Sequence, residues 1–198
     1  MKKNVVCIKW GNKFGADYVN SLYKMVEKNL TIPHRFVCFT DEPEGIVEGV
    51  EIRPFNKLDD SGLPEKAWKK LGLFTDQLAD LKGRALFLDL DVVIMKNIDE
   101  FFEVPGEFVI IKDWDFEKDI IGNSSVFRFE VGKYPDVLTD FYELGNSMSK
   151  AVNVKVTGTG FLKATVIEDI NEDGVAGATI TSHCGPGTLG VLYINDGE

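Results

Sequence analysis

The sequence predicts an α/β fold with a mostly parallel sheet flanked by helices, on three observations. Short apolar runs alternate with stretches of helical periodicity, each run ends at a polar or glycine-rich break, and the chain supplies one core's worth of apolar residues. With 198 residues and 44% apolar content it is sized for one packed domain and is too short for two of ordinary size.

Val5 to Lys9 reads as a buried strand that breaks at Gly11. Tyr18, Leu22, Met25, Val26 and Leu30 then recur at helical spacing. Arg35 to Phe39 is a second strand, closed by Thr40-Asp41 and the breaker-rich Glu42-Pro43-Glu44-Gly45. Leu71, Phe74, Leu78 and Leu81 predict an amphipathic helix stopped by Gly83, and Ala85-Leu86-Phe87-Leu88 a buried strand after it. Phe108 to Ile111 and Ser125 to Phe129 are strand-like, and Tyr134 to Leu144 predicts a helix with Val137, Leu138 and Phe141 on one face. From about Gly145 the chain turns rich in Gly, Thr and Val and reads as short strands and turns, an atypical β-rich tail. The expected division is therefore a ligand-binding unit over 1–144 and a tail over 145–198 packed on the same domain.

Lys and Arg number 22 against 32 Asp and Glu, a net charge of -10, which argues against nucleic acid and anionic membranes as partners. An anionic nucleotide would need a metal ion or a few placed cations to be held in that field. Cys7, Cys38 and Cys184 are odd in number and widely spaced, so free thiols and a reducing, cytoplasmic setting are expected. No apolar stretch is long enough to span a bilayer, and the N-terminal residues are too few for a signal-peptide core.

In a parallel α/β sheet, ligands bind outside the carboxyl ends of the strands, where strand order reverses. Gly11, Thr40-Asp41 and Asp89-Leu90-Asp91 all fall on that edge. In extended structure Asp89 and Asp91 share a face while Leu90 turns to the core. Two carboxylates held together repel unless a cation joins them, and hard oxygen ligands select Mg²⁺ or Mn²⁺. The plainer reading is a strand end whose acids face water.

The segment Arg84-Ala85-Leu86-Phe87-Leu88-Asp89-Leu90-Asp91-Val92-Val93-Ile94-Met95-Lys96-Asn97-Ile98-Asp99 resembles the Asp-x-Asp segment of GT-A glycosyltransferases, especially bacterial relatives of the glycogenin-like, family 8-type group. Four other segments follow in that family's order. They are Lys9 to Gly15 with Asp17 to Asn20, Phe36 to Asp41, Trp68 to Leu71, and Asn123 to Phe129, so the resemblance covers about residues 4–144. It implies a Rossmann-like GT-A fold with a mixed, mostly parallel sheet. It also implies transfer of a hexosyl group from a nucleoside diphosphate sugar to a carbohydrate or other hydroxyl acceptor, with Mn²⁺ or Mg²⁺ as cofactor.

Carried over by that resemblance, Trp10, Gly11, Phe14, Thr40 and Asp41 would hold the nucleoside, Lys70 the diphosphate, and Asn123 and Ser124 the sugar. Trp10 and Phe14 read equally as core, Lys70 as a solvated helical lysine, and Asn123-Ser124 as a turn. Asp89 and Asp91 would hold the metal, with His183 a candidate third ligand. No catalytic base or nucleophile is assigned. Asp113, Asp115 and Asp119 are acids in the right region, but a solvated loop explains them equally.

Ile180 to Tyr193 resembles the closing segment of the DegV family of fatty-acid-binding proteins. That gives His183 two further readings, a lipid-carboxylate pocket or a turn histidine. The alternatives to an enzyme are a noncatalytic nucleotide-sugar or lipid binder, or a recombined or engineered chain with an incomplete acceptor site. Donor sugar and base, acceptor, stereochemistry and oligomeric state are not fixed by these residues.

Overall fold

The computed structural model describes residues 2–11, 13–55, 67–112 and 122–139, together with the backbone of 161–162 and 191–192. Readings that fall on Asp113, Asp115, Asp119, on 140–144, on His183 and Cys184, and on the DegV-like stretch apart from the backbone of 191–192 lie outside these residues.

The chain opens with strand β1 (Lys3–Lys9), helix α1 (Ala16–Asn29), strand β2 (His34–Thr40) and strand β3 (Glu51–Arg53). A 3₁₀ segment (Ala67–Phe74) leads to β4 (Arg84–Leu88), β5 (Val93–Ile94) and the one-turn helix α2 (Glu100–Glu103). Then come β6 (Val109–Lys112), β7 (Gly122–Glu130), β8 (Phe161–Leu162) and β9 (Val191–Leu192). Seven strands form one sheet in the order β3-β2-β1-β4-β7-β6-β8, and β5 pairs with β9 apart from it. β1, β2, β3 and β4 are mutually parallel and β8 is parallel to β6, while β7 runs antiparallel to both β4 and β6. This is the mixed, mostly parallel sheet expected of a GT-A fold.

The central strands are buried on both faces, as parallel strands must be when helices cover them. Val5, Cys7, Phe36, Cys38, Leu86 and Leu88 share one core with Val19, Leu22 and Val26 of α1. Val6, Ile8, Val37, Phe39, Ala85 and Phe87 turn to the other, against Leu73, Leu78 and Leu81. Each such side chain contributes about 1.5–3 kcal/mol by leaving water. Cys7 and Cys38 pair in register on β1 and β2 as buried free thiols. Burial, with Cys38 alongside, holds the Cys7 thiol well above its ordinary range, so it stays protonated and unreactive.

The expected helix through Leu71, Phe74, Leu78 and Leu81 is corrected. The chain forms a 3₁₀ segment to Phe74 and then an irregular stretch in which Ala79 takes φ 49°. The apolar spacing still serves burial, since Leu78 and Leu81 are buried without being helical. A 3₁₀ segment aligns residues three apart, and Lys70 and Leu73 accordingly both meet the sheet at the core around Phe87. Helical backbone begins at 136 and is described to 139, within the predicted helix from Tyr134.

Candidate functional site

β1 is followed through α1 by β2 and then β3 on one side, and the chain returns to place β4 on the other side of β1. Strand order therefore reverses between β1 and β4, the place where parallel α/β sheets bind ligands outside their carboxyl ends. β1 ends there in Lys9, followed by Trp10 and Gly11, the latter at φ 58°. β2 ends in Thr40 and β4 in Leu88, so Asp41 and Asp89 follow on the same edge. Because β7 is antiparallel, its beginning reaches this edge, bringing Asn123 to Ser125 beside Asp89.

Asp89 is the most constrained member. Its backbone N–H donates to the Ser125 carbonyl at 2.9 Å, and its Oδ2 accepts from Lys70 Nζ at 2.7 Å. The same ammonium donates to the Ser124 carbonyl at 3.2 Å and stands 5.2 Å from the centre of the Phe87 ring. Burial pushes the Asp89 carboxyl up and Asp91 adds to the rise. The Lys70 ammonium and a hydrogen bond with the Ser125 side chain oppose it, and the net direction is upward.

The Ser124 carbonyl is available because β7 bulges against β6. Ile110 pairs with Phe127 while the next residue, Ile111, pairs with Asn123. Positions 124–126 thus lack β6 partners, and the ladder with β4 begins at Val126.

The Asp-x-Asp triplet is not extended as expected. β4 stops at Leu88, and Leu90 and Asp91 lie in a turn closed by Val92 N–H donating to the Asp89 carbonyl at 3.2 Å. Leu90 is nonetheless buried in the core beneath α1. Asp91 lines a groove of about 220 Å³ with Asp17, Tyr18, Ser21, Met25, Leu90, Val92 and Val93. Its charge reaches Asp89, which is one of the causes of that group's raised pKa. Among the described residues no group of three His, Cys, Asp or Glu converges as a metal site. Two carboxylates flanking one turn at the strand edge do fit Mg²⁺ or Mn²⁺, since such ions take one or two protein carboxylates and complete their shell with water and phosphate.

Trp10 is half-buried against the Phe87-side core, and Phe14 packs on the α1-side core with its ring edge-on to Tyr18 at 4.9 Å. Thr40 is buried, and its hydroxyl accepts from the Glu42 N–H at 3.0 Å, while Asp41 is exposed. The Asn123 side-chain oxygen accepts from the Ser125 N–H at 2.9 Å, which shapes the start of β7, and Ser124 is exposed. Sequence reading missed a role for Lys9, which is buried with its Nζ 3.0 Å from Glu42 Oε2. The available signal was a lysine closing an otherwise apolar strand directly before the edge.

The sheet order and, among the described residues, the single reversed strand are those of the GT-A, Rossmann-like fold. Among solved structures, the chain is similar to the galactosyltransferase LgtC in complex with donor and acceptor sugar analogs, with TM-score 0.56 and 16% identity over 74% of this chain and 66% of that one. An active-site mutant of LgtC gives 0.54 and 16%, covering 71% of this chain and 64% of that one. The apo-form glycosyltransferase GlyE of Streptococcus pneumoniae TIGR4 gives 0.54 and 11%, covering 78% and 41%. The chain thus spans 66%, 64% and 41% of the lengths of these structures. No protein-family model matches the sequence, and no curated protein matches it. At these identities the likeness is one of fold. No helix among the described residues is long and apolar enough to cross a membrane.

Proposed function

We propose that the chain is a metal-dependent glycosyltransferase that binds a nucleoside diphosphate sugar at the β1–β4 crossover and transfers its glycosyl group to a carbohydrate or other hydroxyl acceptor. The observation that carries this reading is the position of Asp89 and Asp91, directly after β4 at the point of strand reversal, with the Lys70 ammonium against Asp89. The likeness in fold to glycosyltransferase structures supports it.

In this reading Asp89 and Asp91 hold Mn²⁺ or Mg²⁺, with His183 the candidate for a third ligand. Lys70 offsets the diphosphate, Trp10, Gly11, Phe14, Thr40 and Asp41 frame the nucleoside, and Asn123 and Ser124 meet the sugar. The bound ion would stabilise charge developing on the leaving diphosphate. Residues 1–144 form the donor-binding unit, with 145–198 packed on it. The setting we propose is cytoplasmic, in keeping with the buried free thiols of Cys7 and Cys38.

Titration calorimetry with uridine and guanosine diphosphate sugars, with and without Mn²⁺, tests the reading. Metal-dependent binding of one donor is expected, and its absence in folded protein would sink the proposal. Release or transfer of the sugar then separates an enzyme from a noncatalytic binder.

A further inference from the structure

Lys9 is the last residue of β1 and stands on the ligand edge one strand away from β4. It is 4% exposed, and its ammonium donates to Glu42, whose side chain is 56% exposed. Taking an ammonium out of water is costly even after relaxation. A pairing with a carboxylate whose side chain is 56% exposed offsets only part of that cost. As a stability device the pair is inferior to a methionine filling the same space.

Its value is directional. The chain after β2 is held at several places: the Thr40 hydroxyl accepts from the Glu42 N–H, and Lys9 holds the Glu42 carboxylate. Asn20 of α1 donates to the Gly45 carbonyl at 2.9 Å and accepts from the Val47 N–H at 2.9 Å. Asp41 lies between Thr40 and Glu42, both anchored, while it is itself exposed on the edge. A carboxylate oriented in this way is suited to accept from vicinal ribose hydroxyls or a base N–H.

We propose that Lys9 is a positioning residue for nucleoside recognition: through Glu42 it fixes the segment that presents Asp41 to the ribose or base of a nucleoside diphosphate. The proposal rests on the nucleotide-sugar reading of the site. It assigns no contact between Lys9 and the diphosphate, which makes the two halves of the ligand separable by experiment.

The test uses the full chain with Lys9→Met, Glu42→Gln and the double variant, titrated with uridine and guanosine diphosphate and with inorganic diphosphate, all with Mn²⁺, alongside thermal melts. Lys9→Met should melt no lower than wild type. Its affinity for the preferred nucleoside diphosphate should fall about tenfold, in line with the cost of a misplaced hydrogen-bonding group. Affinity for inorganic diphosphate should not change. Glu42→Gln should reproduce the loss, and the double variant should lose no more than either single one, the mark of a coupled pair. Unchanged nucleoside diphosphate affinity in a folded variant overturns the proposal, as does an equal loss for inorganic diphosphate. Should Lys9→Met fail to fold, Glu42→Gln, altered at a half-exposed side chain, decides the matter. Wild-type protein that binds neither nucleoside diphosphate overturns this proposal and the donor-binding reading together, whereas binding that the variants leave intact overturns this proposal alone.

Discussion

Lys70 Nζ stands 2.7 Å from Asp89 Oδ2, so one acid of the Asp-x-Asp triplet carries its own counter-cation. Removing that cation in Lys70→Met takes away the attraction that opposes burial and Asp91 at Asp89. Diphosphate affinity in the presence of Mn²⁺ is expected to fall about tenfold, roughly 1.4 kcal/mol. Titration calorimetry checks it.

The raised pKa of Asp89 sets the sign of a pH effect. The folded chain keeps a proton on Asp89 above the ordinary aspartate value of 3.8. The stability this gives is complete below that value and lost as pH rises through the raised one. At neutral pH the buried, ionised carboxylate is then a net cost. Asp89→Asn should melt no lower than wild type at pH 7, and its advantage should shrink below about pH 4, as thermal melts across a pH series would show.

Asp91 differs because it lines an open groove, whereas Asp89 is held by the Lys70 ammonium. Asp91→Asn is expected to leave the denaturation midpoint within about 0.5 kcal/mol of wild type. Metal-dependent donor binding should fall tenfold or more under the proposed function. Equal affinity in the variant would return the triplet to a solvated strand end.

Among the most consequential buried polar groups for stability is Arg128, fully buried on β7. It donates to the carbonyls of Phe101 within α2 and of Val104 and Gly106 just beyond it. Burial, with Arg84 nearby, lowers its pKa. Arg128→Met strips donors from three buried or part-buried carbonyls and should cost about 3 kcal/mol or more. Lysine cannot reproduce the planar fork and should recover little of it. Urea unfolding of both variants provides the comparison.

Gly132 joins β7 to the helix beginning at 136 with φ 77°, and a Cβ there would lie 2.6 Å from the Asp76 carbonyl oxygen. Strain and backbone collision act together, so Gly132→Ala is expected to cost about 2–4 kcal/mol. Denaturant titration measures it. A loss below 1 kcal/mol would mean that the 75–82 stretch yields easily.

Much of the sheet was legible because β1, β2 and β4 are continuous apolar runs and α1 carries a clear 3.6-residue period. β3 was not, since Glu51 and Arg53 flank a single Ile52, and the strand is held at the sheet edge by pairing with β2 and by Arg35 bridging Glu51 and Asp80. β5 and α2 are too short to carry a period. The 3₁₀ segment was misread as a longer helix because apolar residues three and four apart satisfy both windings, although the winding ends at Phe74 and Leu78 and Leu81 are buried from an irregular stretch. At the site, the triplet's position was readable from its flanking apolar runs. The turn after Leu88, the bulge in β7 and the Lys9–Glu42 pair depend on contacts between distant segments, which no local pattern encodes.

The reversed direction of β7 has a corollary for the chain that precedes it. The Leu88 and Val126 pairing fixes Ser124 and Ser125 against Asp89 from within the ladder, downstream of the connection between Lys112 and Gly122. Changes in the length of that connection are absorbed before the register is set. The length of that connection is therefore free to vary without moving the acidic edge, whose partners are set by the Leu88–Val126 rung.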